Sequence, residues 1–198
     1  MLFQDKKPKT VWLQECGSFV QGIGQAGSRS VLRPQWTGFD SDPIPDISMP
    51  DYLARLGEYC PFSEVSFVLA LIYIDRRNKL SSCPVTTRSV HRLYMTCLLV
   101  AAKFWEDHGC PNGFYAQVAG VSLSELNALE AELLRDLKWN LVVSEQEYNT
   151  YLRSVDFLRN AHLQPGVLKR SNSFGMSEIS TEVGGDISVF EEDDRIWP

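Results

Sequence analysis

The stretch from Val90 to Trp105 limits the possible folds more than any other part of the chain. Projected as a helix at roughly 100° per residue, Val90, Leu93, Tyr94, Cys97, Leu98, Val100, Ala101, Phe104 and Trp105 cover more than half the circumference. Met95, Leu99 and Ala102 cover most of the rest, leaving one polar seam made of Arg92, Thr96 and Lys103. A helix apolar nearly all round belongs at the centre of a bundle, wrapped by others. Phe67 to Ile74 is a second continuous apolar run, so two central helices enclosed by three more is the architecture this pattern predicts.

Helix starts are marked clearly enough to place the rest. Ser48, with Pro50 and Asp51 behind it, predicts a helix to about Cys60, and Ser63 with Glu64 predicts another to about Asn78. Thr86 or Thr87 opens the central helix, which ends near Asp107. The turn formers from His108 to Gly113 follow, and Asn112 is placed to cap a short helix through Ala119. Ser122 with Glu125 has the spacing of a capping box, and so has Ser144 with Glu147, which predicts a last helix over 145–158. Strand periodicity and internal repeats are absent. The fold class is therefore all-α: five helices plus an additional C-terminal one over 48–158, an irregular arm over 1–47 and a polar, acidic tail over 159–198.

The formal charge of -6 and a pI of about 5.1 offer no general attraction to nucleic acid or an anionic membrane. Neither is expected as a partner. The five cysteines are odd in number, widely spaced and without a C-x-x-C pair, as suits reduced thiols inside a cell. An intracellular protein, in cytoplasm or nucleus, is the expectation.

On the helix after Ser122, a leucine stripe runs through Leu123, Leu126, Leu129, Leu133, Leu134 and Leu137, and Glu130 falls within it. An ionised carboxylate there needs a cation or several donors. Lys103 is the candidate. The pair is either an internal ion pair serving the fold or a charged spot in a partner-binding face.

These residues, taken together, resemble a known family. FVLALIYIDR from Phe67 to Arg76, His91-Arg92-Leu93, Val100 to Phe104, Asn112, Tyr115-Ala116, Glu125 to Asn127, Leu129-Glu130 and Leu137 to Leu141 are similar to the cyclin box. Tyr73 and Ile74-Asp75-Arg76 together with His91-Arg92 resemble the single-box P/U-type cyclins, which include the yeast phosphate-pathway cyclin. The likeness spans roughly residues 50–152. It implies a non-catalytic regulatory subunit that binds and activates a cyclin-dependent protein kinase, with Lys103 and Glu130 facing the kinase and Leu99, Phe104 and Leu134 as apolar neighbours at or under that interface. A cyclin-fold interaction or transcription-factor-like module without kinase activation is the alternative. The Met-Arg docking patch of cell-cycle cyclins has no match in the first helix.

Gly22 to Gly27 fits G-x-G-x-x-G, but no βαβ context surrounds it, and a flexible Gly-rich arm is the reading preferred. His91, His108 and His162 lack metal-site spacing, so neither a metal nor a cofactor is expected. Arg170 precedes Ser173 by three residues, which makes Ser171 and Ser173 candidate phosphorylation positions.

Overall fold

The computed structural model describes residues 10–30 and 36–162, all within the first of two units, Met1–Pro165 and Gly166–Pro198. Among the described residues every regular element is a helix: α1 (Thr10–Ser30), α2 (Met49–Tyr59), α3 (Glu64–Leu80), α4 (Val90–Trp105), α5 (Asn112–Ala119), α6 (Leu123–Asp136) and α7 (Glu145–His162).

The predicted starts hold where a side chain caps. Ser48 Oγ accepts from Asp51 N, Ser63 Oγ from Ser66 N, Ser122 Oγ from Glu125 N, and Ser144 Oγ from Glu147 N. Each meets a donor that the first helical turn leaves without an intrahelical partner. Asn112 differs. Pro111 is the N-cap of α5, and the Asn112 side chain points instead to α6. The central helix begins at Val90 because Thr86–Ser89 form a separate turn, in which Ser89 Oγ accepts from Thr86 N. Lys138 and Trp139 both take left-handed backbone conformations, φ 52° and 60°, which stop α6 and turn the chain toward α7.

α3 and α4 form the centre, as the apolar runs predict. Phe67–Ile74 and Leu93–Ala102 are buried throughout, and Tyr94 Oη donates to the Phe67 carbonyl at 3.0 Å. α4 packs on α6, α3 on α7, and α1 on α2.

Within the expected arm, the described residues 10–30 and 36–47 depart from the expectation. Thr10–Ser30 is a helix of 21 residues whose Trp12, Leu13, Cys16 and Val20 are buried. Its glycines are a packing surface. A Cβ on Gly17 would stand 2.4 Å from Pro50 Cα, and one on Gly27 would overlap the Val85 carbonyl oxygen. Glycine lowers intrinsic helix propensity, which is why the segment reads as irregular alone; close approach to α2 and to the 85–90 turn supplies what propensity lacks. Residues 36–47 are docked as well. Phe39 is buried under the Arg77 guanidinium, 5.4 Å from its ring centroid, and Ser41 N donates to the Arg88 carbonyl. α1 and residues 36–47 therefore pack on the helices of 48–158.

Candidate partner-binding site

Three helices converge on one charged clasp. Lys103 stands on the last turn of α4, and its Nζ donates to both carboxylate oxygens of Glu130 on α6, at 2.7 and 2.8 Å. Asn112, the first residue of α5, donates through Nδ2 to Glu130 Oε2 at 3.0 Å and to Asn127 Oδ1 at 2.8 Å. The lysine side chain is 41% exposed and the glutamate 18%. An ion pair this open contributes only about 0–1 kcal/mol to folding, so stability alone does not account for it. An ammonium carries three N–H groups, and Glu130 takes two of them; the third is available to an acceptor outside the chain.

Phe104 extends the clasp on α4. It is 48% exposed, with its ring edge-on to Trp105 at 5.4 Å. Leu134, one turn beyond Glu130, is half-buried. Leu99 is fully buried, so of the two places the sequence allows it lies under the surface and presents nothing to a partner. All of α4 from Leu93 to Ala102 is buried, and only the last turn, with Lys103 and Phe104, comes to the surface.

Sequence reasoning missed the second tier of the site. Glu106, the C-cap of α4, accepts through one oxygen from Ser63 N, Ser63 Oγ and Ser66 Oγ. A carboxylate at the N-terminus of α3 is favoured by the helix dipole, and here it locks the end of α4 that carries Lys103. The pairing is not visible in sequence because the partners are some 40 positions apart.

The residues that narrow the resemblance are anchors. Tyr73 Oη donates to the Leu141 carbonyl at 2.8 Å and accepts from Trp105 Nε1 at 3.0 Å; burial pushes its hydroxyl up to about 12, the indole hydrogen bond acting the other way. Asp75 accepts from Tyr151 Oη and pairs with Lys79. Arg76 donates to the carbonyls of Asn140 and Val142 and pairs with Glu147 at 2.7 Å. Together they fix the turn from α6 into α7. His91 and Arg92 do the same for the N-terminal segment. His91 Nε2 donates to the Ile47 carbonyl, while Arg92 donates to the Asp40 carbonyl and pairs with Glu125 at 2.8 Å.

Gly22–Gly27 lies within α1, where its N–H groups belong to the helical ladder and cannot cradle phosphate. Among the described residues no group of three His, Cys, Asp or Glu side chains could hold a metal ion, and no helix is long and apolar enough to cross a membrane. Ser171 and Ser173 lie outside the described residues.

The Cyclin family model matches residues 21–141. The chain is 41% identical to Cyclin-P3-1 of Oryza sativa subsp. japonica over 120 residues, 61% of this chain and 51% of that protein. It is 34% identical to Cyclin-U4-2 of Arabidopsis thaliana over 142 residues, 68% of this chain and 66% of the relative. Cyclin-U3-1 of Arabidopsis thaliana is 40% identical over 149 residues, 74% and 67%. The aligned region thus spans about half to two thirds of these relatives. With the match beginning inside α1 and running through both central helices and the Lys103–Glu130 clasp, the chain belongs to the cyclin family and is of the P/U type.

Proposed function

We propose that this cyclin binds a cyclin-dependent protein kinase through the face carrying Lys103, Phe104, Glu130 and Leu134, and activates it without catalysing a reaction itself. The observation that carries the reading is the clasp. It is partly exposed, adds little to folding, and leaves a lysine N–H and an exposed phenylalanine side by side at the end of the buried central helix α4. Lys103 would donate to backbone carbonyls of the kinase, and Glu130 would receive donors on the opposite side. Activation follows by population shift: binding energy available only in the kinase conformation with its catalytic lysine and regulatory-helix glutamate paired raises the share of that conformation. A chain of net charge -6 is not suited to nucleic acid or anionic membranes, which fits a protein partner in the cytoplasm or nucleus.

The test is affinity purification of the tagged chain beside Lys103→Ala, Glu130→Ala and the double variant, with mass spectrometry and a kinase assay on the eluates. A cyclin-dependent kinase recovered with the native chain and lost with folded variants supports the proposal. Recovery of no kinase by any form would turn the reading to a cyclin fold serving as another kind of interaction module.

A further inference from the structure

Asn112 alone among the seven asparagines is followed by glycine, and it is also the residue that ties α5 into the clasp. The peptide nitrogen after an asparagine can close on the side-chain carbonyl carbon to form a cyclic imide. A following glycine leaves that approach unobstructed because it has no Cβ. The fold keeps the route open at Gly113, which is exposed and where an added Cβ would meet nothing within 4 Å. Its N–H lies in the first turn of α5, where the helix itself supplies no acceptor; the Pro111 carbonyl is taken by Phe114 N at 3.0 Å and Tyr115 N at 3.4 Å. That turn is weakly held. α5 has only eight residues, its N-cap Pro111 makes no side-chain bond, and Gly113 lowers its helix propensity. What holds Asn112 in place is its side chain, through the Nδ2 bonds to Asn127 Oδ1 at 2.8 Å and Glu130 Oε2 at 3.0 Å. The atom that closes the clasp is therefore the leaving group of the imide reaction.

We propose that Asn112 is a site of spontaneous deamidation whose product opens the clasp. Gly113 N attacks Asn112 Cγ and forms the N–Cγ bond; the Cγ–Nδ2 bond breaks, and Nδ2 leaves as ammonia with the proton from Gly113 N. Water then opens the imide at either carbonyl, giving aspartate, or isoaspartate with the main chain rerouted through the side chain. One water is consumed, one ammonia is released, and no electrons are transferred. Either product replaces the Nδ2 donor with a carboxylate, which cannot donate to Glu130 or to Asn127. Two carboxylates then face each other where one hydrogen bond stood, and Lys103 Nζ, which donates to both Glu130 oxygens, is drawn between them. The chemistry at Asn112 does not depend on the kinase reading; its effect on kinase binding rests on it.

The experiment ages the purified full-length chain at mildly alkaline pH beside Gly113→Ala, with peptide mapping by mass spectrometry and enzymatic labelling of isoaspartate. Position 112 should convert ahead of Asn78, Asn127, Asn140 and Asn149, with isoaspartate among the products, and the conversion should be lost in Gly113→Ala, whose Cβ the structure accommodates. Capture of a cyclin-dependent kinase should be lost from the aged native chain and from fresh Asn112→Asp, and kept by aged Gly113→Ala, each shown folded by circular dichroism. Asn112 intact while another asparagine converts, or equal conversion in Gly113→Ala, would overturn the site. Conversion at 112 with kinase capture unchanged would overturn the opening of the clasp. A fresh native chain that captures no kinase would fail the kinase reading instead, and the mapping would still decide the site.

Discussion

Alanine at Gly17 and at Gly22 should move stability in opposite directions. Gly22 is exposed on α1, with nothing within 4 Å of an added Cβ, so Gly22→Ala gains the propensity difference alone, about 1 kcal/mol. Gly17→Ala makes the same gain but sets its Cβ 2.4, 2.6 and 2.8 Å from backbone atoms of Met49 and Pro50. Ordinary contact begins at 3.4 Å, so α1 and α2 must separate by about 1 Å along the face that buries Leu13, Cys16 and Leu53. Overpacking of this kind costs about 1–3 kcal/mol, and the upper part of that range applies because the opposing atoms are backbone and cannot rotate away. The net effect of Gly17→Ala is a loss of about 1–2 kcal/mol, against a gain of about 1 for Gly22→Ala. At about 2–4 °C per kcal/mol for a domain of this size, the two variants should differ in Tm by roughly 4–12 °C. Thermal unfolding followed by circular dichroism measures this, with urea midpoints as a second probe. Equal shifts in both variants, or none in either, would refute the docking of α1 and restore the flexible arm.

His91 should make stability depend on pH. Burial lowers its pKa below 6.5, the hydrogen bond to Ile47 opposing only in part, so the unfolded chain binds the proton more readily. This contribution is complete above pH 6.5 and is lost as the pH falls through the depressed folded value; the stability difference between the native chain and His91→Gln should shrink on acidification, and a constant difference would disprove it. Tyr73→Phe leaves the Leu141 carbonyl without its tyrosine donor in a fully buried place, and should cost about 1–3 kcal/mol in urea unfolding. Leu99→Ala, at a position with no exposure, should cost about 2–5 kcal/mol, whereas Lys103→Ala should cost no more than about 1; an unfolded Lys103→Ala would show that the clasp serves the fold.

What was legible in the sequence was local. The apolar circumference of Val90–Trp105 dictated a central helix, and serine caps at 48, 63, 122 and 144 placed four starts, because a first turn exposes donors that only a nearby acceptor satisfies. Lys103 and Glu130 stood out because a charge on an otherwise apolar face has few places to go. The tertiary structure decided what those local signals were used for. Glu125 and Glu147 have capping-box spacing, yet their carboxylates pair with Arg92 and Arg76 on distant helices. Asn112 has the chemistry of a cap and spends it on Glu130. Leu99 adjoins the clasp in projection but is sealed under it. Above all, Thr10–Ser30 is helical through docking: Gly17, Gly24 and Gly27 weaken an isolated helix, and their lack of a side chain becomes favourable only when Pro50, Val90 and Val85 lie against them. Propensity and periodicity are properties of neighbours along the chain, whereas a small residue's value in close packing depends on a surface contributed from elsewhere.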